Sequence, residues 1–315
     1  MDTSTSSNSV RADERFCDLH THSTASDGTD TPAALAHRAA QLGLSALALT
    51  DHDTTAGLVE CEAACDELGI AFVPGIEVSA DPGPVAISGA GDGRDDPDAR
   101  RGTLHLLGLF VRHDDSRLRA VHERMRLARD ERNPAIVQKL KTLGIDIEYE
   151  QVLAHAREQG TAIIGRPHIA HVLIANGHAR SVREAFERYL GRGGGAYVRR
   201  DRLDPADAID AIHHAGGLAI VAHPVQLGIR DFGRLAVFMD QLKGLGLDGI
   251  ETRHSDHTPE QIERFERLAR KLGLLTSGGS DYHGRRKAIE LGSRGVPFEV
   301  YERLAAAARG RGGMG

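Results

Sequence analysis

Short runs of apolar residues alternate along the chain with stretches in which apolar positions recur every three or four residues. The first pattern predicts strands and the second amphipathic helices. Strands are expected at 16–20, 44–49, 70–73 (continuing into 75–79) and 103–111. Thr31 is a good N-cap and Pro32 suits the first helical position, so one helix is expected from there to near Gly43. A second helix is expected over 55–68, with Gly69 as its stop signal. This alternation of strands and helices predicts an α/β fold built on a parallel sheet or barrel.

Residues 81–102 break the pattern. Gly, Asp, Pro and Arg dominate there, and an exposed loop is expected. From 113 to 198 the texture is helical, with helices expected at 116–132, 134–143, 149–159, 167–176 and 182–190. No strand pattern interrupts them, so the stretch reads as an inserted helical subdomain. Alternation then resumes, with helices expected at 204–215, 232–245 and 259–272 and strands at 217–222, 248–252 and 274–277. The expected organisation is a disordered leader over 1–15, a first α/β part over 16–112 and the insertion over 113–198. A second α/β part over 199–307 and a disordered tail over 308–315 complete it.

Composition narrows the function. Net charge is −6 in 315 residues, which argues against a general nucleic-acid coat or a polybasic membrane binder. No apolar run approaches the roughly 20 residues of a membrane span, and the polar N-terminus lacks a signal peptide's apolar stretch. A cytoplasmic protein with no membrane or obligate protein partner is expected. The cysteines Cys17, Cys61 and Cys65 do not suggest a disulfide framework. Aromatic residues are 4% of the chain, which leaves few platforms for stacking single-stranded bases. Histidine is abundant, at 17 residues.

The histidines and carboxylates concentrate at the C-terminal ends of expected strands, where parallel α/β folds build their sites. In chain order these are Asp18-Leu19-His20-Thr21-His22, Asp27, Asp51-His52-Asp53, Glu77, His105, His223 and Asp281-Tyr282-His283. On an extended segment His20 and His22 point to one side and can grip one metal ion; Asp281 and His283 repeat that spacing. Mixed imidazole and carboxylate donors suit zinc, manganese or iron.

The motifs Asp18-Leu-His20-Thr-His22-Ser23, Ser26-Asp27-Gly28, Leu49-Thr-Asp51-His52-Asp53-Thr54 and Pro74-Gly-Ile-Glu77, followed by Ala222-His223-Pro224 and Gly279-Ser280-Asp281-Tyr-His283-Gly284, resemble those of the PHP (polymerase and histidinol phosphatase) family. The resemblance implies a distorted (β/α)7 barrel with an inserted helical subdomain and two to three divalent ions, manganese first, zinc or iron as alternatives. It implies one metal on His20, His22, Glu77 and Asp281, a second on bridging Glu77 with His105 and His223, and a third on Asp27, His52 and His283. Asp27, His52, Glu77, Asp281 and His283 are the expected catalytic groups, with a metal-bound hydroxide as nucleophile. Asp18 and Asp51 are expected to orient neighbouring imidazoles.

Arg132-Asn133-Pro134, Gly165-Arg166-Pro167-His168 and Ala196-Tyr197-Val198 resemble the family's subgroup with a helical insertion. That subgroup implies a phosphatase acting on nucleotide 3′,5′-bisphosphates or nucleoside monophosphates. The alternatives are a 5′→3′ exonuclease on short RNA and a histidinol phosphate phosphatase. Arg132, Asn133, Arg166, His168 and Ser280 are the expected substrate-binding residues, Arg166 and His168 because a helix N-terminus beside an arginine suits phosphate. His254 and His257 are expected to border the mouth of the site.

Overall fold

The computed structural model describes residues 15–83, 102–160, 164–200 and 202–312. The leader up to residue 14, and residues 84–101 of the expected loop, lie outside the described residues. Strands β1 (Phe16–Asp18), β2 (Ala46–Leu49) and β3 (Ala71–Ala80) alternate with helices α1 (Pro32–Gln41) and α2 (Leu58–Leu68). β4 (Leu104–Leu109) leads into α3 (Ser116–Thr142), α4 (Tyr149–Glu158), α5 (Arg166–Ala175) and α6 (Val182–Ala185), the last running into a wider turn at Phe186–Leu190. Then come α7 (Pro205–His214), β5 (Leu218–Val221), α8 (Phe232–Gly244), β6 (Gly249–Arg253), α9 (Pro259–Leu272), β7 (Leu275–Gly278), β8 (Val296–Pro297) and α10 (Phe298–Gly312).

The strands form one sheet in the order β7-β6-β5-β4-β3-β2-β1-β8. It is nearly closed into a barrel. Beyond Asp18, the chain of β1 pairs with the chain leaving β7: Leu19 N–H donates to Gly278 O at 3.2 Å, Asp281 N–H to His20 O at 2.9 Å and His22 N–H to Tyr282 O at 2.9 Å. Gly279 permits this closure, because a Cβ there would stand 2.5 Å from the backbone nitrogen of His20. The two-residue β8 is an addition to the expected strands and pairs antiparallel with the start of β1.

Four sequence expectations change. The two strands expected at 70–73 and 75–79 are one strand, β3, running through Pro74 and Gly75. Its first half pairs parallel with β2 and its second half antiparallel with β4, so Pro74 sits where one neighbour hands over to the next. β4 is antiparallel to both neighbours because no crossover helix separates it from β3. Pro134 does not end a helix; α3 continues through it to Thr142. The tail expected from 308 is helical as far as Gly312, as the last turn of α10.

Inside-outside alternation places the site. Along β4, Leu107 and Leu109 point into the barrel with Ala46 and Ala48 of β2 and Ile220 of β5, while Leu104 and Leu106 pack outward under the helices. His105 shares the inward parity of Leu107, one step nearer the open end. Val300 and Leu304 of α10 join the inward cluster and plug the other end. The helical insertion has its own core, including Ile136, Leu140, Val152, Ile169, Leu173 and Leu190.

Candidate metal centre

At the open end of the barrel nine side chains converge. Glu77, fully buried on β3, is their hub. Its Oε1 lies 2.8 Å from His105 Nδ1 and 2.8 Å from His223 Nε2. Its Oε2 lies 2.9 Å from His52 Nδ1, 3.2 Å from His22 Nε2 and 3.5 Å from His20 Nε2. Asp281 Oδ1 stands 3.2 Å from His22 Nε2 and 3.5 Å from His20 Nε2. Asp27 Oδ1 stands 3.3 Å from His283 Nε2 and 4.0 Å from His52 Nε2. All nine metal-binding candidates read from the sequence therefore meet here, His105 included.

Many of these contacts are close without being hydrogen bonds. His20 Nε2, both nitrogens of His22, Asp27 Oδ1, His52 Nδ1, Glu77 Oε2 and His223 Nδ1 are buried and have no hydrogen-bond partner. Buried polar atoms left unpaired are costly. Here they face one another in groups whose ligand atoms lie within 4.8 Å: His22, Asp27, His52 and His283; His20, His22 and Asp281; His20, Glu77 and His223; His52, Glu77 and His105. A donor set of imidazoles and carboxylates aimed at shared points fits divalent cations of the transition series.

Electrostatics agree. Burial opposes ionisation of Glu77, yet His52, His105 and His20 hold its carboxyl well below the usual range. Burial pushes His105 and His283 down to about 4, keeping them neutral. For His22 burial works the same way, but the carboxylates of Asp281 and Glu77, each 3.2 Å from its Nε2, outweigh it and lift the group to about 9. Backbone strain gathers here too: Asp53, His223 and Asp281 have φ of 55°, 27° and 58°.

The supporting residues differ from expectation. Asp18 and Asp51 do not orient imidazoles. Asp18 accepts hydrogen bonds from the Ser280 hydroxyl at 2.6 Å and from the backbone of His20, Ser280 and Gly292. Asp51 accepts from the hydroxyls of Ser23 and Ser26 at 2.6 and 2.5 Å. Both brace the loops that carry the candidate ligands. Ser280, expected at the substrate, is fully buried and committed to Asp18.

A cavity of about 190 Å³ opens on Asp27, His52 and His105. Its other wall carries Arg129, Arg132, Arg166, Arg200 and Arg202. Of the residues expected at the substrate, Arg132 and Arg166 line this cavity. Asn133 is behind the wall: its Oδ1 accepts from Arg132 at 2.9 Å and its amide donates to Ile164 O. His168 is buried and does not line the cavity; its Nδ1 accepts from Gly165 N–H at 3.0 Å and its Nε2 faces Arg286 at 3.4 Å. His254 and His257, expected at the mouth, are buried as well.

Arg129 and Arg200 escaped the sequence reading. Both donate to Asp53 Oδ2, Arg200 at 3.4 Å. Arg132 has no carboxylate partner among the described residues, is 8% exposed, and is held well below its usual range by burial and the other four arginines. Glu251 also escaped, although Gly249-Ile250-Glu251 repeats Gly75-Ile76-Glu77 and gives the same inward parity.

A barrel whose open end gathers buried histidines and carboxylates beside an arginine wall defines a metal-dependent hydrolase of phosphate esters. The chain belongs to the PHP family: the family's profile, described as PHP domain, matches residues 18–193. It is similar to the 5′-3′ exoribonuclease of Haemophilus influenzae, 36% identical over 87% of this chain and 92% of that one. It is also similar to the 3′,5′-nucleoside bisphosphate phosphatase of Chromobacterium violaceum, 33% identical over 84% of this chain and 86% of that one. A solved structure from Bifidobacterium adolescentis, described as a metal-dependent phosphoesterase, superposes with a TM-score of 0.77 at 30% identity, covering 92% and 95% of the two chains. The protein is a metal-dependent phosphoesterase. Among the described residues no helix is long and apolar enough to cross a membrane.

Proposed function

We propose that the protein removes a phosphate from a nucleotide that carries a second phosphate, such as a nucleoside 3′,5′-bisphosphate, with manganese at the metal centre. The observation that carries this is the arginine wall. Five guanidinium groups face the cavity, and Asp53 is the carboxylate that two of them share. Burying unpaired like charges is unfavourable, so the wall is built for an anion that arrives from outside.

Divalent ions, when bound, polarise the phosphoryl oxygens and lower the pKa of water towards about 7. This chain's own residues do the rest. His20, His22, Asp27, His52, Glu77, His105, His223, Asp281 and His283 would hold the ions. Glu77, with one oxygen toward His105 and His223 and the other toward His52 and His22, would be shared among them. Arg132 and Arg166 would clamp the second phosphate, and Asn133 keeps the Arg132 fork aimed. The barrel supplies hydrolysis and the insertion supplies selection.

A second reading has its own support. A further basin of about 320 Å³ adjoins the cavity, lined by Arg199, Arg200 and Arg202 with Phe186 and Tyr197. Cations and aromatic faces suit a following nucleotide, which favours short RNA 5′ ends. Histidinol phosphate carries a positive charge and fits the arginine wall least well.

The deciding experiment measures hydrolysis with manganese on 3′-phosphoadenosine 5′-phosphate, AMP, histidinol phosphate and a 5′-phosphorylated oligoribonucleotide. The bisphosphate is expected to give the highest kcat/KM. Faster turnover of the oligonucleotide would replace the first reading by the second. Metal analysis of the purified protein that finds no transition metal, with no gain on adding manganese, would sink both.

A further inference from the structure

The metal centre has a second layer made by β6 and the turn after it. Glu251 is fully buried and does not line the cavity. Its Oε1 is 3.0 Å from His20 Nδ1, and its Oε2 accepts the backbone N–H of His223 at 2.6 Å. His254 is fully buried beside it. Its Nδ1 accepts the backbone N–H of Asp256 at 3.0 Å, and its Nε2 stands 3.4 Å from Asp281 Oδ2 with no hydrogen-bond partner of its own.

His20, Glu251 and His254 bring ligand atoms within 4.8 Å of one another, close enough for a cation. Their hydrogen bonds argue for a different role. A neutral imidazole carries one N–H, and the partner at one nitrogen decides where it sits. Because His254 Nδ1 accepts, its proton is on Nε2, and that nitrogen has no lone pair for a metal. Because Glu251 offers acceptor oxygens, His20 carries its proton on Nδ1 and its lone pair on Nε2. That lone pair faces Glu77 Oε2 and Asp281 Oδ1, each at 3.5 Å.

Resting on the reading of the nine-residue cluster as a metal centre, we propose that Glu251 and His254 are positioning residues that select the coordinating atoms of His20 and Asp281. Glu251 commits His20 to coordinate through Nε2. It also ties down the backbone of His223, whose φ of 27° no residue adopts without strain. Lys287, whose Nζ is 2.6 Å from Asp281 Oδ2, occupies that oxygen, which His254 Nε2 also faces at 3.4 Å, and Oδ1 is left for the cation that His20 and His22 face. Carboxylate partners of ligating histidines fix ring orientation and raise ligand basicity, and removing them weakens metal affinity about 10- to 100-fold.

The test titrates manganese into the metal-stripped full-length protein by calorimetry, comparing wild type with Glu251→Ala, His254→Phe and Glu77→Gln. Glu251→Ala is expected to bind manganese about 10- to 100-fold more weakly, and to recover its kcat as manganese is raised. His254→Phe is expected to change in the same direction. Manganese affinity and stoichiometry unchanged in Glu251→Ala, alongside a clear loss in Glu77→Gln, would overturn the positioning role and leave the metal centre standing. No loss in Glu77→Gln would overturn the metal centre itself. Should Glu251→Ala fail to fold, wild-type protein with ¹⁵N-labelled histidine and bound ¹¹³Cd decides: coupling at Nε2 of His20 is expected, and coupling at Nδ1 overturns the proposal.

Discussion

The imidazole rings of His22 and His283 stack with centroids 4.1 Å apart and planes inclined by 29°. Two protonated rings at that distance would repel by about 4 kcal/mol at an effective dielectric constant of about 20. Their environments divide the charge: His22 rises to about 9, whereas burial and the charge of His22 press His283 down to about 4. Around neutral pH, His22 would therefore have to lose a proton to act as a ligand. Manganese binding is expected to release protons, and its apparent affinity to rise with pH from 7 towards 9 and then level off. Calorimetry in buffers of different ionisation enthalpy measures this directly; an affinity independent of pH over that interval would contradict it.

Arg132 predicts an opposition between stability and function. Its guanidinium is buried with no carboxylate partner among the described residues, and four other arginines push against it. Arg132→Met keeps the packing and removes the charge, so the melting temperature is expected to rise by a few degrees. KM for a 3′,5′-bisphosphate is expected to rise at least about tenfold, the worth of one charge-assisted contact. Arg166→Ala is expected to raise KM likewise. Unchanged KM and kcat in both variants would remove the clamp.

Asp53 joins barrel to insertion. Besides Arg129 and Arg200, it accepts the backbone N–H of Ser79 at 2.8 Å, and its own carbonyl faces His122 Nδ1 at 3.0 Å. Removing one member of a buried ion pair costs about 3–5 kcal/mol. Asp53→Ala is expected to lose that much in urea unfolding and to raise KM for the bisphosphate, with manganese stoichiometry retained. Loss of bound manganese in a folded Asp53→Ala protein would place Asp53 in the metal centre instead.

His168 gives an acid-sensitive limb. Burial, with Arg286 beside it, holds its folded pKa down at about 4, against 6.5 unexposed to those effects. The folded state keeps the ring neutral, and the unfolded state takes up a proton below 6.5. Stability is therefore full above about pH 6.5, falls as pH drops, and levels off below about 4; the span corresponds to about 3 kcal/mol. His168→Gln is expected to lose less stability than wild type between pH 7 and 4.5 in urea titrations. Equal losses would assign the acid limb to other groups.

The legible part of the site was local. His20, His22, Asp281 and His283 sit in short motifs at strand ends, and inward parity along β4 carried His105 to its place. The less legible part depended on partners far along the chain. Asp18 stands beside a histidine in sequence, yet its hydroxyl partner is Ser280, 262 residues away. Pro134 reads as a boundary because proline costs a helix interior about 3 kcal/mol. α3 continues because Ile136, Val137 and Leu140 of its last turns are core residues of the insertion. α10 was missed because its burial comes from plugging the barrel, with Val300 and Leu304 against Leu107 and Leu109. No periodicity within 298–312 announces that partner.

The pairing of Thr21 with Tyr282 has a consequence for synthesis. His20 and His22 emerge from the ribosome early, whereas Asp281, His283 and the strand that closes the barrel emerge near the end. Until then the nascent chain holds seven of the nine candidate ligands with an open sheet edge beside them. The nine side chains cannot all meet before the last strand zips in, so with these residues as ligands the full set of cations is expected only on completed chains, and a product truncated before Asp281 is expected to be inert towards phosphate esters.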